Sequence, residues 1–220
     1  MASPCLRFRF VTPLLSLVVL AHVHATGTVE VRCHDPQDKP VADAVAWLKS
    51  AGPVLKLVPP VEPVVIEQKD EEFHPYVTPV VAGTAVHFPN RDSVQHHVYS
   101  VSKAKRFEIP LYKGEAQNTV IFDQPGVVTL GCNIHDWMVA YVVVLESPYF
   151  ARSDESGSAV IAGLPPGRYT LELWHPRLAA EVVREVVVRE SDASPQVITL
   201  TLRPDRRIRR APDAVGSGYK

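Results

Sequence analysis

Short runs in which apolar and polar residues alternate, each broken by a turn, fill most of this chain. Thr28 to Cys33 places Val29, Val31 and Cys33 on one face of a strand and Thr28, Glu30 and Arg32 on the other. Comparable runs lie at Ala42 to Lys49, Ala85 to Phe88, His96 to Val101, Thr119 to Phe122, Gly126 to Leu130, Ala140 to Leu145, Ser158 to Ala162, Arg168 to Trp174, Glu181 to Val188 and Gln196 to Leu202. Helical periodicity is scarce, β-branched residues are dense and 20 prolines punctuate the chain. The expected fold class is all-β. One sandwich takes about seven to nine strands, so these eleven runs predict two sandwiches.

The first 25 residues read differently. Arg7 and Arg9 precede an apolar run from Val11 to Ala21, and Val23-His24-Ala25 supplies small residues before a cut. That run is shorter than the ~20 residues a membrane span needs, and its grammar is that of an export signal. Residues 1–25 are expected to be a cleaved signal peptide, with an uncleaved anchor as the alternative. The remainder is then expected in the periplasm, without stable membrane insertion.

Charge narrows the partners. Removing Arg7 and Arg9 with the leader leaves 21 basic residues against 24 acidic ones, which argues against nucleic acid. The basic groups concentrate at the end: 203–220 holds six of them and two acidic residues. With Arg206, Arg207, Arg209 and Arg210 followed by Pro212, Gly216, Ser217 and Gly218, residues 204–220 are expected to be a disordered basic tail.

Two segments flank a third. Thr28 to Cys33, the polar turn Asp35-Pro36-Gln37-Asp38-Lys39-Pro40, and Val41 to Leu48 make a unit too small to bury its own apolar face. Far downstream come Asp154-Glu155-Ser156-Gly157, Ala159-Val160-Ile161 and Leu164-Pro165-Pro166-Gly167-Arg168-Tyr169. Together these resemble the transthyretin-like module that serves as a regulatory domain in carboxypeptidases, with Gln37-Asp38 where that family has glycine. The expectation is a discontinuous sandwich, 26–57 plus 150–203, with 58–149 inserted as a second sandwich; three consecutive β units are the alternative.

The inserted segment carries the chemistry. Gly131-Cys132-Asn133-Ile134-His135-Asp136-Trp137-Met138 sets Cys, His and Met at C-x-x-H-x-x-M spacing between two strand runs. A thiolate, an imidazole and a thioether are the ligand types that select copper, and a blue-copper site adds a second imidazole in the plane. Gln95-His96-His97-Val98 offers it, and strand alternation lets only one of the pair face the metal.

Val86-His87-Phe88-Pro89-Asn90-Arg91-Asp92, the histidine pair, and Cys132, His135 and Met138 resemble the plastocyanin and amicyanin family of cupredoxins. The stretch from Phe73 through Tyr99 to Phe107 also resembles periplasmic cupredoxin-like proteins labelled as methylamine utilisation proteins. The resemblance implies a Greek-key sandwich holding one copper through His96, Cys132, His135 and Met138. In that family the first ligand is a His followed by Asn, which puts His96 at the metal, ahead of His97, and puts His97 where Asn stands.

The implied function is one-electron transfer between redox proteins, such as a dehydrogenase or a cytochrome. A Cu(I) carrier or store using the same ligands is the alternative. The resemblance also implies that the far ring edge of His135 reaches the surface as the electron port, rimmed by Ile134, Trp137 and Met138 and flanked by Asp136. A disulfide between Cys33 and Cys132 is the competing use of the two cysteines beyond the leader, and Cys33 is otherwise expected to be a buried thiol. His34, His74, His87 and His175 stand singly and are not expected to bind metal. Glu67, Asp70, Glu71 and Glu72 read as a solvated charge run. No nucleophile elbow, phosphate loop or metal-hydrolase helix is present, and an enzyme is not expected.

Overall fold

Alternation becomes sheet wherever two such runs can share a core. The computed structural model describes residues 26–52, 56–116, 118–189 and 195–206; the expected leader lies outside them, as does the tail beyond residue 206. Among the described residues all regular structure is strand, so the fold is all-β, and no helix is long and apolar enough to cross a membrane.

One sandwich draws on both ends of the chain. Strand β1 (Gly27–His34) lies between β14 (Ser158–Leu164), antiparallel, and β17 (Gln196–Thr199), parallel. Facing it is an antiparallel sheet in the order β13 (Phe150–Arg152), β2 (Val45–Ser50), β15 (Gly167–Trp174), β16 (Val182–Val188). Burial along β1 alternates as the sequence does, and Val29, Val31 and Cys33 enter a core with Leu48, Ile161, Leu171 and Ile198.

The polar turns of this sandwich are built as their residues dictate. Asp35 accepts the backbone N–H groups of Gln37 and Lys39, and Asp38 takes a left-handed φ of 62° where a glycine was expected. Gly157 has a harder constraint. At φ 77° its missing Cβ would stand 2.3 Å from the Cys33 carbonyl oxygen, and that close approach lets Cys33 donate to the Gly157 carbonyl at 2.8 Å.

The residues between β2 and β13 form the second sandwich. Its larger sheet runs β6 (Val77–Val81), β12 (Val139–Leu145), β11 (Gly126–Gly131), β8 (His96–Ser102), β9 (Lys105–Tyr112). The smaller runs β10 (Val120–Phe122), β7 (Thr84–His87), β3 (Val64–Val65). Val86, Phe88, Val98, Phe122, Val128, Leu130 and Val142 fill the core between them. A hairpin of β4 (Glu67–Lys69) and β5 (Glu72–His74) crosses one end.

The sequence reading missed β6 and β9, and both contain proline: Pro79 in β6, Pro110 in β9. They are the two edges of the five-stranded sheet, where a missing N–H need not break a ladder. Between the sandwiches, Val45, Val77, Val143 and Leu145 are buried with Trp47, Tyr76, Tyr141, Phe150 and Trp174 packed around them. Trp174 meets the Tyr141 ring across this seam at 5.4 Å. Tyr169 is buried in the first sandwich.

Candidate metal centre

The strand pair β11 and β12 fixes the loop that carries the sequence motif. Gly131 pairs with Val139, so residues 132 to 138 are a closed loop with Cys132 at one end and Met138 at the other. Gly131 also faces Tyr99 on β8, and a Cβ there would lie 3.0 Å from the Tyr99 ring. His96 opens β8 beside this loop, and the ladder to β9 slips between His96 and Val98, a bulge that turns adjacent side chains apart.

His96, Cys132 and His135 come together: one ligand atom from each lies within 4.8 Å of the other two. The sulfur of Cys132 stands 3.9 Å from Nδ1 of His135, and the rings of His96 and His135 meet edge to face at 5.0 Å. Met138 is 1% exposed and packs in the same apolar cluster as Cys132. His97 points elsewhere; its Nε2 pairs with Glu108 at 2.8 Å and its ring tilts against Tyr99.

Each group is electrostatically committed. Burial works against charge on Cys132, yet His96 and the backbone N–H groups of His97 and Ile134 outweigh it and hold the thiol below its usual range. Thus His97, whose side chain points away, reaches the sulfur through its backbone. Burial also opposes protonation of His96, but Cys132 and the Asp92 carboxylate more than compensate and raise its pKa. Asp92, 2.7 Å from Nε2 of His96, is lowered despite desolvation by the Glu71 N–H, His96 and the Asp70 N–H.

The donor set fits copper on an observation of its own. His96 is fully buried, its Nε2 is taken by Asp92, and its Nδ1 makes no well-formed hydrogen bond, only an electrostatic contact with the Cys132 sulfur. A buried ring nitrogen without a well-formed hydrogen bond costs stability unless something occupies it. A thiolate, two imidazoles and a thioether are the soft and borderline donors that copper takes.

Cys33 and Cys132 are both free thiols in separate cores, so the competing disulfide is absent and Cys33 is a buried thiol as expected. Other sequence expectations are placed differently. The His135 ring reaches the surface only in part: its side chain is 14% exposed, and Nε2 lies 4.0 Å from a Glu71 carboxylate oxygen. The rim is reduced accordingly. Ile134 is 51% exposed and Asp136 is exposed, but Met138 is buried and Trp137 packs against both the core and the His135 ring.

Two residues escaped the sequence reading. Asp92 stood in the quoted motif without a role, although its spacing of four from His96 marks the pair. Glu71 read as part of a charge run, and only the hairpin brings it to His135.

No protein-family model matches this chain, and no curated protein matches it. Part of the chain is similar to solved copper proteins. The copper-containing nitrite reductase NirK from Thermus scotoductus SA-01 is 23% identical over 44% of this chain, with a TM-score of 0.37, and the match spans only 25% of the reductase. A novel purple cupredoxin from Nitrosopumilus maritimus is 24% identical over 37% of this chain and 99% of its own, with a TM-score of 0.33. A reduced single-site mutant of amicyanin is 22% identical over 46% of this chain and 98% of its own, with a TM-score of 0.36. At such levels the four side chains, and not the likenesses, must carry any assignment.

Proposed function

We propose that this chain is a periplasmic one-electron carrier in which His96, Cys132, His135 and Met138 would hold a single type 1 copper. The observation that carries this reading is the convergence of one ligand atom each from the buried His96, the buried Cys132 and the largely buried His135, all within 4.8 Å of one another. Copper, when bound, supplies a one-electron couple. The chain's own residues do the rest: donors already aimed at the Cys132 sulfur favour thiolate, Asp92 fixes the His96 ring, and the apolar cluster keeps water from the sulfur and thioether. Four protein donors leave no position open for a substrate, which suits electron transfer and not catalysis.

Residues 58–149 are read as a cupredoxin inserted into a transthyretin-like module made of 26–57 and 150–203. Redox proteins such as a dehydrogenase or a cytochrome are the proposed partners, with no role for nucleic acid. A Cu(I) carrier or store is the weaker reading. Copper delivery proceeds by ligand exchange, and His96, Cys132 and Met138 are each 5% exposed or less.

The test is optical and electrochemical. Protein loaded with Cu(II) is expected to show an intense visible thiolate-to-copper band and reversible one-electron cycling with fast self-exchange. Release of Cu(I) to an acceptor protein without such cycling would establish the carrier instead.

A further inference from the structure

Both histidines beside Cys132 have a carboxylate against the far side of the ring. For His96 it is Asp92, at 2.7 Å from Nε2. For His135 it is Glu71, at 4.0 Å from Nε2, with only 14% of the His135 side chain and 22% of the Glu71 side chain exposed. Nδ1 of His135 is thereby turned inward, 3.9 Å from the Cys132 sulfur.

Glu71 gets there by an unusual turn. The hairpin β4–β5 closes on Asp70 and Glu71, with φ of 56° and 58°, a left-handed pair that Asn and Gly usually occupy. Asp92 holds that turn: one carboxylate oxygen accepts the Asp70 N–H at 2.7 Å and the other accepts the Glu71 N–H at 2.9 Å. One carboxylate therefore grips His96 and also fastens the turn that presents Glu71 to His135.

We infer that Glu71 is a positioning residue for His135, resting on the copper reading above. At 4.0 Å from Nε2 its carboxylate lies beyond hydrogen-bond reach and acts through its charge, favouring the tautomer that carries the proton on that nitrogen and leaves the Nδ1 lone pair for the metal. It also adds negative charge next to the centre, which favours the oxidised metal. The hairpin is thus part of the centre, and a redox partner meets the turn and Ile134 before it meets the imidazole.

The experiment compares full-length Glu71→Gln and Glu71→Ala with Glu72→Gln, an exposed carboxylate of the same hairpin that lies 3.9 Å from His74. Nitrogen NMR of the copper-free protein reads the His135 tautomer, voltammetry reads the potential, and competition with a chelator reads Cu(II) affinity. Both Glu71 variants should shift the Cu(I)/Cu(II) equilibrium about tenfold toward Cu(I), ~59 mV for one electron. Glu71→Ala should also lose the tautomer preference and weaken Cu(II) binding about 10- to 100-fold, while Glu72→Gln stays at the parent values.

Parent behaviour in both Glu71 variants, or an equal shift in Glu72→Gln, overturns the inference and leaves the copper assignment standing. If the parent shows no thiolate-to-copper band, the copper assignment falls. The tautomer of His135 in the copper-free protein still decides the role of Glu71.

Discussion

Each sandwich of this protein buries one thiol, and the two are driven in opposite directions. Cys33 lies on β1 among Val29, Val31 and Ile198, and desolvation alone pushes its pKa up to about 11. Cys132 is also buried, at 5% exposure, but it sits past the end of β11 where backbone N–H groups and the His96 ring converge on sulfur, and its pKa falls. Burial therefore does not decide what a cysteine does. What decides is whether the wall around it carries donors: an apolar wall makes an inert small hydrophobe, a donor-lined wall a thiol that ionises more readily.

The sharpest way to break this contrast is to remove each sulfur in turn. Cys132→Ser should abolish the visible band of the Cu(II)-loaded protein altogether, whereas Cys33→Ser should leave band position and intensity unchanged and lower only stability. A spectrum altered by Cys33→Ser, or retained by Cys132→Ser, would show that the two thiols had been assigned to the wrong tasks.

The next effect is the share of the alkaline pH dependence that Cys33 contributes. An unfolded chain releases this proton near pH 9.0, while the folded protein keeps it to about 11. Between those values the unfolded state binds fewer protons, so stability is complete below pH 9 and falls as pH rises toward 11. Two units correspond to roughly 3 kcal/mol at most. Denaturant midpoints of copper-free protein at pH 8, 9, 10 and 11 should fall more steeply for the parent than for Cys33→Ala; parallel curves would mean that burial does not hold the proton.

A smaller effect tests the wall around Cys132. Asp92→Asn keeps the shape but removes the charge that holds His96 and the turn at Asp70 and Glu71. Metal affinity should fall about 10- to 100-fold with the thiolate band still visible. Chelator competition at fixed pH measures this, and unchanged affinity would make Asp92 merely a turn cap.

How much of this could be read in advance depends on distance along the chain. The cluster of His96, Cys132 and His135 was legible because one short loop carries two of its members and a histidine pair on a strand leaves few choices for the third. Glu71 was not legible, since its importance comes from a hairpin whose turn is fastened by Asp92, more than twenty residues away. Likewise β6 and β9 hid behind Pro79 and Pro110, which are compatible with a strand only at the edge of a sheet. That position is a property of the assembled sheet and not of the run itself.

The pairing of β2 with β13 has a consequence for the order in which the chain can be completed. Phe150 pairs with Trp47 and Arg152 with Val45, so this contact encloses about a hundred residues of intervening chain. For a floppy loop, the entropy of closure grows with the logarithm of loop length. Here the loop is itself a folded body, and Leu48 donates to the Tyr149 carbonyl just where that body hands the chain back. Strand β1 must wait longest, because its partners β14 and β17 both lie more than a hundred residues further along the chain. The portion holding Cys132 has all its strands by Leu145. It can therefore assemble while Val29, Val31 and Cys33 still lack the neighbours that will bury them.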